Sequence, residues 1–69
     1  MTTIQTAIAQ YAETYRAWRL SQEVKPYNID VEVQYAAKDL LNLVKHGTTE
    51  NALYIIADET DVLNKAIRK

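Results

Sequence analysis

The apolar side chains in the first third of the chain recur at steps of three and four residues. This spacing predicts a helix from Thr3 to Val24 with one apolar stripe, capped at its start by Thr2 or Thr3. Leu20 and Val24 fall almost opposite the stripe, so we expect the following loop or a partner to cover them. The stripe consists of Ile4, Ile8, Tyr11, Tyr15 and Trp18.

Two short segments interrupt the pattern of apolar and polar positions. Pro26 disfavours helical geometry at Lys25 and therefore ends the first helix. Gly47 is predicted to follow the C-terminus of one helix, and Thr48 or Thr49 to cap the start of the next. These breaks divide the chain into three segments of about 20 residues each.

The second segment, residues 28–46, combines two periodicities. Its first part alternates apolar and polar residues from Tyr27 to Tyr35, which is typical of a strand. From Ala36 onward the apolar residues share one helical face. If the whole segment is a helix, Asn28 or Asp30 caps it, and Val31 and Tyr35 lie on its polar face.

The third segment, residues 48–69, presents a similar choice. A stripe that includes Ala52, Ile56, Leu63 and Ile67 predicts a helix, and the final Arg68 and Lys69 suit its C-terminal dipole. The run from Leu53 to Ala57 also fits a buried strand. On a continuous helix Glu59 falls within the apolar arc, where it extends to solvent, pairs with a lysine or arginine, or marks a break capped by Asp58.

The equal lengths of the three segments favour an all-α fold, an antiparallel three-helix up-down bundle that forms one domain over residues 1–69. The alternative is an α+β fold in which a helix precedes a small β-α-β unit. Its two strands, 27–35 and 53–57, would need a partner chain to complete the sheet.

Length and composition narrow the ways in which the fold is stabilised. A chain of 69 residues buries only about 60% of its unfolded surface and stands near the lower limit for folding alone. It contains no cysteine, which excludes disulfides and thiolate metal sites, and a single histidine, His46. We therefore expect a homodimer or higher homo-oligomer, or a stable complex with another protein.

Charge and hydropathy exclude further classes. The formal net charge of −1 argues against a dedicated DNA-binding protein. No apolar run approaches the roughly 20 residues that span a bilayer, so no membrane partner is expected. The first residues lack the features of a signal peptide, and the expected location is the cytoplasm.

The residues offer little chemistry for catalysis. Ser21 and His46 have no nucleophile motif around them, and His46 beside Gly47 suits a helix C-terminus. Asp58, Glu59 and Asp61 lack the spacing and the glycine of a calcium loop. We expect a protein that is not an enzyme and that holds no cofactor or metal.

The aromatic composition points to binding instead. The chain has five tyrosines and one tryptophan but no phenylalanine, a choice typical of interfaces. Arg19 can stack on Tyr15, four residues before it. The predicted interface residues are Tyr15, Trp18, Arg19, Leu20, Val24, Tyr27, Tyr35, Tyr54 and Glu59.

The predicted function is that of a small protein-binding regulator, adaptor or inhibitor that acts through helix faces and self-associates. By analogy alone, such small chains suit phages and mobile elements. The alternative is a nucleic-acid-binding regulator, since an up-down bundle brings basic residues from the first and third helices to one pole beside aromatic rings. This pole consists of Arg16, Arg19, Lys25, Lys65, Arg68 and Lys69.

One short run resembles a known family. Residues 53–61 resemble the strand end of ribosomal proteins that bind kink-turn RNA. The chain is too short for that fold, and Val62 stands where a proline follows the acidic turn. No family is therefore assigned from the sequence.

Overall fold

A computed structural model describes residues 3–68 as three α-helices in an up-down bundle. Helix α1 spans Ile4–Leu20, α2 spans Ile29–Val44 and α3 spans Thr49–Ile67. The all-α prediction is confirmed, and the α+β alternative is wrong, because no residue between 3 and 68 is in a strand. The proposed helical role of Lys69 lies outside the described residues.

Each helix begins at a side-chain cap of the kind that the sequence predicts. A side-chain oxygen accepts a hydrogen bond from the backbone N–H three residues later, at 3.1 Å for Thr3, 3.3 Å for Asn28 and 3.1 Å for Thr48. The other candidate for the first cap, Thr2, lies outside the described residues. Of the two candidates for the second, Asn28 is the cap and Asp30 lies in the first turn of α2.

Helix α1 is shorter than predicted and ends at Leu20 instead of Val24. The reason lies in the polar side chains just beyond it. The hydroxyl of Ser21 donates to the Trp18 carbonyl at 2.6 Å, and the Gln22 side-chain amide donates to the same carbonyl at 3.2 Å. The Ser21 backbone N–H also donates to this carbonyl at 3.1 Å, so the carbonyl is satisfied without the Gln22 N–H that a continuing helix would supply.

The segment with strand-like alternation is helical from Ile29 onward. Helical geometry buries Val33 on the same face as Leu40 and Val44 and joins them into one apolar stripe. Val31 and Tyr35 are exposed, as the helical alternative for this segment requires. The second strand candidate, Leu53 to Ala57, lies within α3.

The end of α2 differs from expectation, and in α3 the alternative of a break capped by Asp58 is wrong. Helix α2 ends with Lys45 as its C-cap, and Gly47 does not adopt the left-handed conformation of a C-terminal glycine. Instead its N–H donates to the Val44 carbonyl at 3.2 Å, in a tighter turn. Helix α3 continues through Asp58 and Glu59 without a break.

Helix α1 packs against both of its neighbours, whereas α2 and α3 barely touch each other. The buried cluster combines Ala7 of α1, Leu40 and Val44 of α2, and Ala52 and Ile56 of α3. These α2 and α3 residues lie in the halves adjoining their connection. The second half of α3 contributes no buried residue among those described. The bundle is therefore closed at one end and open between α2 and α3 at the other.

Candidate functional site

An open groove of about 570 Å³ lies along the side where α2 and α3 make little contact. Tyr11 and Tyr15 of α1 form its floor, and Glu59 of α3 lies at one edge. The opposite wall is one face of α2. It consists of Glu32, Tyr35, Ala36, Asp39, Leu40 and Leu43. We call this feature the acidic groove.

The charged side chains that line the acidic groove are all negative. They are the carboxylates of Glu32, Asp39 and Glu59. Glu32 is neutralised by Arg19, whose Nε donates to Oε1 at 3.0 Å. Within residues 3–68, neither Asp39 nor Glu59 forms a salt bridge or a side-chain hydrogen bond. Two uncompensated carboxylates, one from α2 and one from α3, therefore face the same space.

The floor of the groove continues into a row of aromatic rings along α1. The ring centroids of Tyr11 and Tyr15 are 6.2 Å apart, and those of Tyr15 and Trp18 are 5.6 Å apart. These distances and the tilted ring planes are those of favourable aromatic pairs. The row holds the two groove tyrosines in defined positions on a single rigid helix.

Burial at the groove floor raises the pKa of the Tyr11 phenol above its usual value, and the negative charge of Glu59 adds to the rise. Tyr15 and Asp39 contribute further in the same direction. Carboxylates from both neighbouring helices thus act on one hydroxyl group. Tyr11, Asp39 and Glu59 also line the same groove.

We expect the stability of the protein to fall as the pH rises above about 10, the usual pKa of tyrosine. The unfolded chain then ionises Tyr11 while the folded chain keeps it protonated, so the raised folded-state pKa favours unfolding in alkali. Urea titrations between pH 8 and pH 11 measure this slope. Tyr11→Phe should flatten it, and an unchanged slope in that variant would contradict the assignment. Tyr54→Phe, on the exposed face of α3, is the control.

Four exposed apolar side chains lie at or near the connection between α1 and α2. Leu20, Val24, Tyr27 and Val31 are all exposed there, in the last turn of α1, the connection and the first turn of α2. We call these four residues the end patch. A recess lined by Tyr27, Asn28, Val31 and Glu32 adjoins the α2 part of the patch.

Arginine side chains hold the connection beside the end patch. Arg19 bonds Glu32 and also donates from its guanidinium to the Val24 carbonyl at 2.6 Å. Arg16 forms an ion pair with Asp30 in the first turn of α2. The cations and carboxylates that border the end patch are thus largely paired with each other.

The same pairing changes the basic pole that the sequence suggests. Arg16 and Arg19 are bound to carboxylates of α2, and Lys65 pairs with Asp61 at 3.3 Å. Lys25 reaches the Leu20 carbonyl at the end of α1. Lys69, the last member of the pole, lies outside the described residues. Three of the six positive charges are therefore already compensated.

Six of the nine predicted interface residues belong to one of these two surfaces. Tyr15, Tyr35 and Glu59 line the acidic groove, and Leu20, Val24 and Tyr27 belong to the end patch. The ring of Trp18 packs near that of Tyr15, and Arg19 donates a hydrogen bond to Glu32, so both residues adjoin the groove. Tyr54 is exposed on α3, apart from both.

Sequence reasoning missed Tyr11, Asp39 and Leu43 as groove residues. Tyr11 belongs to the apolar stripe of the first helix, and Asp39 lies outside the apolar face predicted for the second helix from Ala36 onward. A signal was present, because Glu32, Tyr35, Asp39 and Leu43 follow one another at helical steps of three and four along α2. Such a mixed face of acidic and large apolar residues is typical of a contact surface.

The described residues hold no group of three or more histidine, aspartate or glutamate side chains arranged to bind a metal ion. None of the three helices has both the length and the apolar character to cross a membrane. The sequence matches no protein-family model, and comparisons with curated proteins and with solved structures find no significant match.

Proposed function

We propose that this protein is a non-enzymatic regulator, adaptor or inhibitor that binds other proteins through its helix faces and self-associates through the end patch. The observation that supports this proposal most directly is the distribution of apolar side chains. Among the described residues, six hydrophobic residues are buried, two of them alanines, whereas nine large hydrophobic residues are exposed. A partner surface explains exposed apolar groups better than a solitary chain does.

The surface area supports the same proposal. The accessible surface is 5307 Å², whereas a folded monomer of 7.9 kDa exposes about 4,400 Å². The excess, about 900 Å², is close to the roughly 800 Å² per partner that a standard protein interface buries. Burying one such interface would lower the accessible surface to about the area expected for a folded monomer of this mass.

The end patch is suited to a second copy of the same chain. Two copies related by a twofold axis place identical surfaces against each other, so a net charge on the patch would oppose their association. Arg16 and Arg19 neutralise Asp30 and Glu32 beside the patch, and this repulsion is therefore small. Tyr27 adds a fully exposed ring, of the residue type that is enriched in interface cores.

The alternative, a nucleic-acid-binding regulator, is less favoured. Binding to a phosphate backbone relies on lysine and arginine side chains that are available to release counterions. At the basic pole, Arg16, Arg19 and Lys65 are already engaged with carboxylates. Displacing these pairs would cost part of the binding free energy.

The test of self-association compares two leucines of equal exposure, Leu20 in the end patch at 44% and Leu41 on the outer face of α2 at 43%. We expect the wild type and Leu41→Ser to be dimers at micromolar concentration in light scattering. Leu20→Ser should be monomeric, because it removes an apolar side chain from the contact. A monomeric wild type, or equal dissociation of Leu41→Ser, would disprove self-association through the end patch.

A further inference from the structure

We infer that the acidic groove binds a basic amphipathic helix of another protein, which lies between α2 and α3 as a fourth helix. This inference rests on the proposed protein-binding function and names the chemistry of one partner. The partner presents leucine-like side chains to the tyrosine floor. It also presents a lysine or arginine to Asp39 and Glu59.

The shape of the groove favours a helix as its occupant. Its floor is one helix and its longer wall is another, so it follows the axis of the bundle. Leu43 and Tyr35 remain largely exposed on the wall and would be buried by a helix that presents side chains every three or four residues.

Charge complementarity specifies the sign of the partner. No lysine or arginine lines the groove, and Asp39 and Glu59 have no cationic partner among residues 3–68. An entering cation would form charge-assisted hydrogen bonds with these carboxylates, which are stronger than neutral ones. An acidic or phosphorylated partner would be repelled at the same point.

The aromatic rings add a second attraction for a cation. Tyr11 and Tyr15 on the floor and Tyr35 on the wall lie in the same groove as the two carboxylates. The face of an aromatic ring attracts an ammonium or guanidinium group, and the attraction increases when water is excluded. The aliphatic stem of the same side chain covers the apolar part of the rings.

A second copy of this chain is a poor occupant of the acidic groove. Two grooves facing each other would bring Asp39 and Glu59 of one copy against the same carboxylates of the other. No lysine or arginine lines the groove, so neither copy would bring a cation to this contact. The groove and the end patch therefore serve different partners.

The test uses a fluorescein-labelled helical peptide with leucine every three or four residues and lysine and arginine between them. Its control is the same peptide with glutamate at every basic position. We expect the full-length protein to bind the basic peptide at least about tenfold more tightly than the acidic one, by fluorescence anisotropy. This preference should decrease with added salt.

Variants of the protein then locate the binding site. Asp39→Asn combined with Glu59→Gln keeps side-chain size and should weaken binding of the basic peptide about tenfold, with a smaller salt dependence. The matched control, Glu50→Gln combined with Asp58→Asn, removes the same two kinds of charge from exposed positions outside the groove. It should change binding by less than about twofold, and circular dichroism should show both variants folded.

Each result has a definite meaning. Equal effects of the two double variants would overturn the inference, because the attraction would then be general and not located in the groove. If only Tyr35→Ala or Leu43→Ser weakens binding, the groove binds a helix but does not select a basic one, and the protein-binding function stands. If neither peptide binds the wild type at millimolar concentration, the inference is wrong, while self-association is judged separately on the end-patch variant.

Discussion

Ile56→Ala is expected to leave most of the protein unfolded at 37 °C. Ile56 is the largest side chain that is almost fully buried, with 1% of its surface exposed, and it lies in the cluster that joins all three helices. Truncating a buried isoleucine to alanine costs about 2–5 kcal/mol, since it loses apolar contacts and leaves a cavity. The core of so small a domain rarely supplies more than about 3–5 kcal/mol in total.

Thermal and urea unfolding followed by circular dichroism measure this effect. Ile56→Val, which removes one methylene group, should cost only about 0.5–1.5 kcal/mol and remain folded. Leu41→Ala, on an exposed face of α2, should change the midpoint little. An Ile56→Ala variant that melts within a few degrees of the wild type would show that the packing around Ile56 is not the centre of the fold.

Arg19→Ala is expected to destabilise the protein by about 1–3 kcal/mol, far more than the removal of an ordinary surface ion pair. The side chains of Arg19 and Glu32 are only 21% and 35% exposed, so Glu32 would keep a half-buried charge without its partner. The variant also loses the hydrogen bond from the Arg19 guanidinium to the Val24 carbonyl, which links the end of α1 to the connection that leads to α2.

Lys65→Ala provides the matched comparison. Its pair with Asp61 spans one turn of α3, and both side chains are largely exposed, at 76% and 63%. Such pairs contribute about 0.3–0.5 kcal/mol. Urea midpoints should therefore separate the two alanine variants clearly, and equal losses of stability would mean that Arg19 does not organise the connection.

The helices could be predicted because each carries its own local signals. Thr3, Asn28 and Thr48 cap the three helices, and each is among the cap residues that the sequence predicts. The end of α1 was harder to predict. It depends on Ser21 and Gln22 binding a backbone carbonyl, a local competition that the apolar periodicity of the preceding residues does not reveal.

The alternation from Tyr27 to Tyr35 illustrates how a local pattern can point to the wrong element. When apolar residues that alternate with polar ones form a helix and not a strand, some of them still fall on one helical face by coincidence. Here Val33 becomes part of the stripe with Leu40, while Val31 and Tyr35 remain outside it. The longer stripe, which packs on α1, determines the structure of the segment.

The acidic groove could be predicted only in part. Tyr15, Tyr35 and Glu59 were singled out as residues that break the core pattern or suit an interface, but their grouping depends on how far α2 and α3 diverge. That divergence is a property of packing between helices distant in sequence. Asp39 was missed because a carboxylate on a helix surface is ordinary until a second one faces it from another helix.

The central position of α1 also affects how the chain folds during synthesis. Ala7 reaches its burial partner Ala52 only after 45 further residues have been made. As the ribosome releases the chain, α1 and α2 can pair first, but the apolar stripe of α1 stays uncovered until most of α3 has emerged. Contacts so distant in sequence slow folding, and the nascent chain is open to capture by chaperones during that interval.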